Sequence, residues 1–391
     1  MTTGTEPAVG AGPRPDRFSI WDGVPDWWDE VAADAPMMGS PPWLRAMSGR
    51  VAGQAVTFAV PGGDGGSPLA ALYGTVQPEP LPAENYDLHH VICTPSRKLP
   101  LTAAARAERE QLAASAPDPG RWTPSVVVMY PGYECFPVGP GATDPAALDA
   151  LVGGIVAWSR SAGARAVGFL YLRPEAAPLA AALARHGFSS LPLNYTFDLP
   201  VPGPDFADYL RALPSRRRIK VRRELRQLAD AGIELRQPPV EEVFDDLVRL
   251  RCALVTKYRG GADVDRERAK IRRIVDDVAG GTPQVMCATA GTAVLSVTLF
   301  AGTDRDWTGL VAGTDYADPR SRLCYFATTY YEPVRVAGPL GVRILRYGQG
   351  SWQLKLARGC QPTPMTGWVL ALDPALAGAV DRSAASTAIT L

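Results

Sequence analysis

The chain has 391 residues, more than one ordinary core organises, so two domains of about 150–200 residues each are expected. With 46% hydrophobic and 20% charged residues it has the profile of a soluble globular protein. Forty basic and forty acidic side chains cancel, which excludes a chain-wide attraction for nucleic acid or anionic membrane and confines any such binding to a local patch.

Met1 to Arg17 is rich in Gly, Pro and Thr and lacks a basic stretch followed by an apolar one, so it reads as a disordered tail and not as a signal peptide. Phe18 to Pro42, with Trp21, Trp27 and Trp28 and then Trp43, reads as a segment capping a core. Ala55–Val60 and Leu69–Gln77 are short strand candidates joined by the Gly-rich stretch from Gly62 to Gly66. Pro78 to Pro100 is loop-like, and Leu101–Ser115 is rich in helix formers. Ser125–Tyr130 is a buried-strand run. A helix over Asp144–Ala162 starts at an Asp-Pro pair and stops at Gly163. A strand over Ala166–Leu172, a helix over Glu175–His186 and a strand over Leu193–Leu199 complete an α/β unit.

The order then restarts. Helices are expected over Asp205–Leu213 and Ser215–Ala231, a strand over Ile233–Gln237, and amphipathic helices over Val240–Lys257 and Asp265–Ala279. Gln284–Ala290 and Thr292–Ala301 form a hairpin, with Asp306–Gly313 as a third strand. A helix over Ser321–Ala337 and strands over Arg343–Tyr347 and Trp368–Leu372 follow, and the stretch from Ser383 reads as loose. The fold class is therefore α/β with mixed sheets in two lobes. The expected divisions are a disordered tail at 1–17, an N-terminal lobe at 18–200, a C-terminal lobe at 201–378 and a flexible tail at 379–391.

No run of about eighteen uncharged apolar residues occurs, so no membrane-spanning helix is expected. Six cysteines lie far apart and only His89, His90 and His186 supplement them, which argues against a metal centre. The cysteines read as reduced thiols of a cytoplasmic protein.

Two stretches stand out chemically. Arg343–Tyr347 runs into a turn spaced by Gly348 and Gly350, followed by Lys355, Arg358 and Gly359. Glycines at a strand end let a ligand approach the backbone, and cations three residues apart suit a phosphate or a polarised carbonyl. A tight turn with solvated charges is the competing reading. From Ser215 to Arg226 a helix carries seven basic residues, among them Arg217, Arg218 and Arg222, against the single acid Glu224. It suits phosphates, or it is a solvated face.

The order of a small helix, Leu213, Ser215, an Arg-rich helix and Gly232-Ile233, then a helix with Tyr330-Tyr331, a strand, a glycine turn and Lys355, Arg358 and Gly359, resembles the Fem-like aminoacyltransferases. The resemblance implies tandem acyl-CoA N-acyltransferase (GNAT)-like lobes. It also implies transfer of an acyl group, commonly an amino acid from aminoacyl-tRNA, to the amine of a small molecule or cell-envelope precursor. No tightly bound cofactor is implied: the acyl donor is a co-substrate, and the tRNA acceptor end and the amine acceptor are the partners. Lys355 and Arg358 match the family's basic pair. Cys360 and the Pro-rich run after it depart from the family pattern, and the helical coiled-coil arm is missing.

An acyl-CoA or carrier-protein donor is the alternative. Its usual pyrophosphate loop finds only imperfect counterparts at Arg335–Gly341 and Arg160–Arg165. A non-catalytic binding protein on the same fold is the alternative of another class. Within the transfer reading, Lys355 or Arg358 stabilises charge on the reacting carbonyl, Tyr347 or Tyr331 relays a proton, and Asp315 is a base or acceptor-orienting group. Tyr133 and the glycines Gly348 and Gly350 are expected to contact substrate. Cys135 at a strand end is a nucleophile candidate without a nearby histidine, and the loop from Glu84 to His90 is a lid candidate.

Overall fold

The computed structural model describes residues 18–47, 49, 53–63, 66–81, 85–94, 101–278 and 283–385. The expected N-terminal tail and the last six residues lie outside them, as do Glu84 and parts of the Gly-rich and Pro-rich loops. The strands in chain order are β1 (Ser19–Asp22), β2 (Gln54–Val60), β3 (Ala70–Gln77), β4 (Ser125–Val128), β5 (Ala166–Leu172) and β6 (Ser189–Pro200). They continue with β7 (Glu234–Arg236), β8 (Gln284–Ala290), β9 (Ala293–Gly302), β10 (Asp306–Thr314), β11 (Ile344–Tyr347) and β12 (Gln361–Ala371).

The chain forms two compact units, residues 1–195 with 363–391 and residues 196–362. In the first, β1, β2, β3 and β4 pair antiparallel in that order, β4 pairs parallel with β5, and β5 pairs antiparallel with β12. In the second, β7, β8, β9 and β10 pair antiparallel, β10 pairs parallel with β11, and β11 pairs antiparallel with β6. The two sets of strands share one pairing pattern. Residues 363–378, expected in the C-terminal lobe, group instead with the first unit. The second unit begins within β6, at Thr196.

Helix packing follows the apolar periodicity. In Pro145–Ser161 the residues Leu148, Leu151, Val152 and Ile155 recur on one face and are buried with Val126, Val127 and Phe169. Asp144 caps that helix by accepting from the amides of Ala146 and Ala147. In the second unit Leu247, Val248 and Leu250 of the helix Phe244–Arg259 join Ile271, Ile274 and Val275 of the helix Val264–Val278 and Val297, Leu299 and Val311 of the sheet.

Three local expectations change. The stretch around Ser383 is helical, Pro374–Ala385, because Leu376, Ala379, Val380 and Ser383 bury one face. The helix after β10 is interrupted by a π-helical turn, Ala327–Tyr331. His89 and His90 lie not in a loop but on the short helix Leu88–Cys93, capped by Asp87.

Candidate active site in the second unit

The parallel pair β10 and β11 stays in register only from Asp306 opposite Ile344 to Thr308 opposite Arg346. A bulge between Gly309 and Val311 then bends β10, which runs on to Thr314 while β11 stops at Tyr347. Parallel strands that part at their C-terminal ends leave backbone open to a ligand. The chain leaves β11 through Gly348 to Ser351, where Gly350 (φ +84°) and Ser351 (φ +49°) are both left-handed. Nothing lies within 4 Å of where a Cβ would sit on Gly348 or Gly350. The turn is thus accessible beside both glycines.

Lys355, on the short helix Trp352–Leu356, folds back onto this turn. Its Nζ donates to the carbonyls of Gly348 and Gln349 and lies 5.0 Å from the centre of the Phe197 ring. The residue is 7% exposed, and burial pulls the amine down from 10.5 to about 8.

Arg358 is not a cation free to face a carbonyl. Its Nη2 donates to both carboxylate oxygens of Glu224 at 3.3 Å, its Nε donates to the Tyr331 hydroxyl at 3.3 Å, and its guanidinium stacks 3.6 Å from the Phe326 ring centre. The Tyr331 hydroxyl donates to the same carboxylate, and burial lifts it far above its ordinary value. Tyr347 likewise spends its hydroxyl on the carbonyl of Thr329, and burial raises it strongly. Both hydroxyls are thus committed to buried acceptors.

Asp315, just past β10, accepts from the amide of Ala317 and lies 3.8 Å from Arg249. Its carboxylate organises the loop and makes no hydrogen bond or ion pair to Lys355 or Arg358. The basic helix spans Ser215–Asp230 and follows directly on Pro214. Arg217 donates to the carbonyl of Leu356 and so ties this helix to the glycine turn; Arg218 donates to the carbonyl of Leu213 at 3.2 Å; Arg222 is exposed.

Tyr133 and Cys135 lie in the first unit, in a loop that fills the corresponding strand end. The Cys135 amide donates to the carbonyl of Tyr171, the Tyr133 ring packs tilted against Tyr86 and edge-on to Tyr171, and burial pushes the Cys135 thiol far up. A protonated, buried thiol is no nucleophile.

Glu224 is the residue that the sequence reading passed over. It shares a buried stripe with Val221 and Leu228, a spacing that marks it as inward-facing on an otherwise basic helix. Ser296, Thr298, Thr314, Thr328 and Thr329 form a second unread feature, a buried hydroxyl cluster under the parting strands. Among the described residues no helix is long and apolar enough to cross a membrane, and no group of three or more His, Cys, Asp or Glu is placed to hold a metal ion.

Comparison with known proteins agrees with this architecture. No curated protein sequence matches the chain significantly. The structure of FemX matches with a TM-score of 0.55 at 12% identity, covering 85% of this chain and 92% of that one. The C-terminal domain of a putative lysylphosphatidylglycerol synthetase from Agrobacterium fabrum matches with a TM-score of 0.54 at 14% identity, covering 90% and 93%. A tandem GNAT protein from the clavulanic acid biosynthesis pathway aligns over 90% and 98% at 14% identity, with a TM-score of 0.43. The fold is thus the mixed α/β fold shared with FemX and the synthetase domain. A family model described as FemAB-like, peptidoglycan biosynthesis/recognition, matches residues 131–388, and the chain belongs to that family.

Proposed function

We propose that the protein is an aminoacyltransferase: it moves an aminoacyl group from aminoacyl-tRNA to the amine of a cell-envelope precursor or small molecule, at the glycine turn that ends β11. The observation that carries this reading is Lys355, a buried amine held on the carbonyls of an otherwise accessible strand-end turn. Family membership supports the acyl-transfer chemistry and a cell-envelope acceptor.

In the proposed step the acceptor amine attacks the carbonyl carbon of the aminoacyl ester directly. A C–N bond forms, the ester C–O bond breaks, and the ribose hydroxyl leaves with the proton that the amine gives up. No protein nucleophile is required, which agrees with the buried, protonated Cys135. Positioning and charge stabilisation are what the protein supplies. Lys355 stabilises the developing oxyanion. Arg358, Glu224 and Tyr331 act as positioning residues that anchor the segment after the turn, and the exposed arginines around Arg222 bind phosphates of the donor.

The test is to incubate the purified chain with charged tRNA, acyl-CoAs and candidate amines and to read the product by mass. An aminoacyl increment that requires charged tRNA and vanishes after ribonuclease treatment is expected. Product formed from acyl-CoA alone would replace the donor in this reading.

A further inference from the structure

At the C-terminal end of β10 the second unit carries an aromatic and cationic surface that the transfer step does not use. Tyr258 is 72% exposed and Tyr316 is 44% exposed, and they are the two aromatic residues among the exposed large hydrophobic side chains of the described residues. The ammonium of Lys257 lies 3.7 Å from the centre of the Tyr316 ring and 5.7 Å from that of Tyr258. The Tyr316 hydroxyl is pushed up to about 12, chiefly by burial.

The position is fixed by packing. Tyr316 sits two residues beyond Thr314, the end of β10. Tyr258 lies in the last turn of Phe244–Arg259, a helix packed so closely on β10 that a Cβ on Gly313 would lie 2.6 Å from Leu250. Within the same unit a file of rings leads from Tyr325 to the glycine turn. Tyr325 lies 6.3 Å from Tyr330, Tyr330 lies 5.0 Å from Tyr347, and Tyr347 immediately precedes the glycine turn.

We propose that Tyr258, Lys257 and Tyr316 form a stacking platform for the unpaired 3′ nucleotides of the RNA donor, an inference that rests on the aminoacyl-tRNA reading above. Every base offers a π face, so exposed rings bind single-stranded nucleotides without reading sequence, and adjacent cations meet their phosphates. Charge complementarity selects this occupant. Lys257 and Arg259 are exposed at the platform, and the short helix Ser321–Phe326, which carries Tyr325, packs against the basic helix Ser215–Asp230. Phosphates of a paired stem suit the basic helix, and the unpaired end suits the rings.

The experiment measures binding of the full chain to an RNA minihelix with a short unpaired 3′ tail and to the same minihelix made blunt, by fluorescence anisotropy at fixed salt. The tail is expected to strengthen binding about tenfold or more. That gain disappears in Tyr258→Ala/Tyr316→Ala and survives in Tyr258→Trp/Tyr316→Trp, which keeps ring faces on the same exposed positions. Tailed and blunt RNA binding equally well, or a tail gain untouched by the alanine pair, would overturn the platform and leave the RNA-donor reading standing. No RNA binding, with CoA or anionic vesicles bound instead and weakened by the alanine pair, would overturn both.

Discussion

The guanidinium of Arg358 lies 3.3 Å from both carboxylate oxygens of Glu224, across 134 residues of chain and with neither residue more than 4% exposed. Such a pair holds the segment after the glycine turn against the basic helix, and removing one partner strands the other in a dry site. Arg358→Met is therefore expected to destabilise the protein by about 3–5 kcal/mol, the usual cost of a stranded buried charge. Arg358→Met/Glu224→Leu should recover most of that loss. Denaturant midpoints measure both, and a double variant no more stable than the single one would refute the pairing as the cause.

Much of the fold is legible in the chain because it is encoded locally. The hairpin of β8 and β9 shows as two apolar runs around Gly291, and the helix Pro145–Ser161 shows as a cap followed by an apolar stripe. The destination of β12 is not legible. An apolar strand pattern carries no address, and pairing with β5, some two hundred residues earlier in sequence, depends on which sheet edge stands open. The candidate site divides the same way. The glycine turn and Lys355 announce themselves through glycine spacing. Arg358 reads in sequence as a second cation for a phosphate or carbonyl until its distant carboxylate is found, and only the Val221, Glu224, Leu228 stripe hints at that partner.

The buried hydroxyl cluster offers a second stability test. The Oγ of Ser296 lies 2.9 Å from the Oγ1 of Thr328 and 3.1 Å from that of Thr314, beneath the π-helical turn that carries Thr328 to Tyr331. Thr328→Val keeps the shape and removes one hydroxyl, so about 1–3 kcal/mol of stability should be lost. The effect should be visible as a lower unfolding midpoint, and an unchanged midpoint would mean that the cluster contributes little.

Charge reversal separates binding from chemistry on the basic helix. Arg222 is exposed, whereas Arg217 also holds the Leu356 carbonyl. Arg222→Glu should raise KM for the RNA donor and leave kcat nearly unchanged, and should flatten the dependence of binding on salt, because fewer counterions are released. Arg217→Glu should add a loss in kcat through the disturbed turn. Identical salt slopes in Arg222→Glu and the parent protein would return this helix to a solvated face.

Lys355 makes the sharpest prediction because its titration enters both stability and rate. Burial lowers its folded value to about 8 from 10.5. Above about pH 8 the folded state releases this proton while the unfolded chain still holds it. The unfolded state then binds more protons, so the Lys355 contribution makes stability rise with pH up to about 10.5 and level off beyond. Lys355→Met should remove that rise. If Lys355 stabilises the oxyanion as proposed, its charged form is the useful one, so kcat should fall as pH rises through about 8, the value burial sets. Lys355→Met should lower kcat by about 10²–10³, the scale for losing one oxyanion-stabilising donor. Lys355→Arg, charged throughout, should retain part of the rate and lose the descending limb, because arginine does not titrate in this range. A limb that persists in Lys355→Arg would assign it to another group and take the charge-stabilising role away from Lys355.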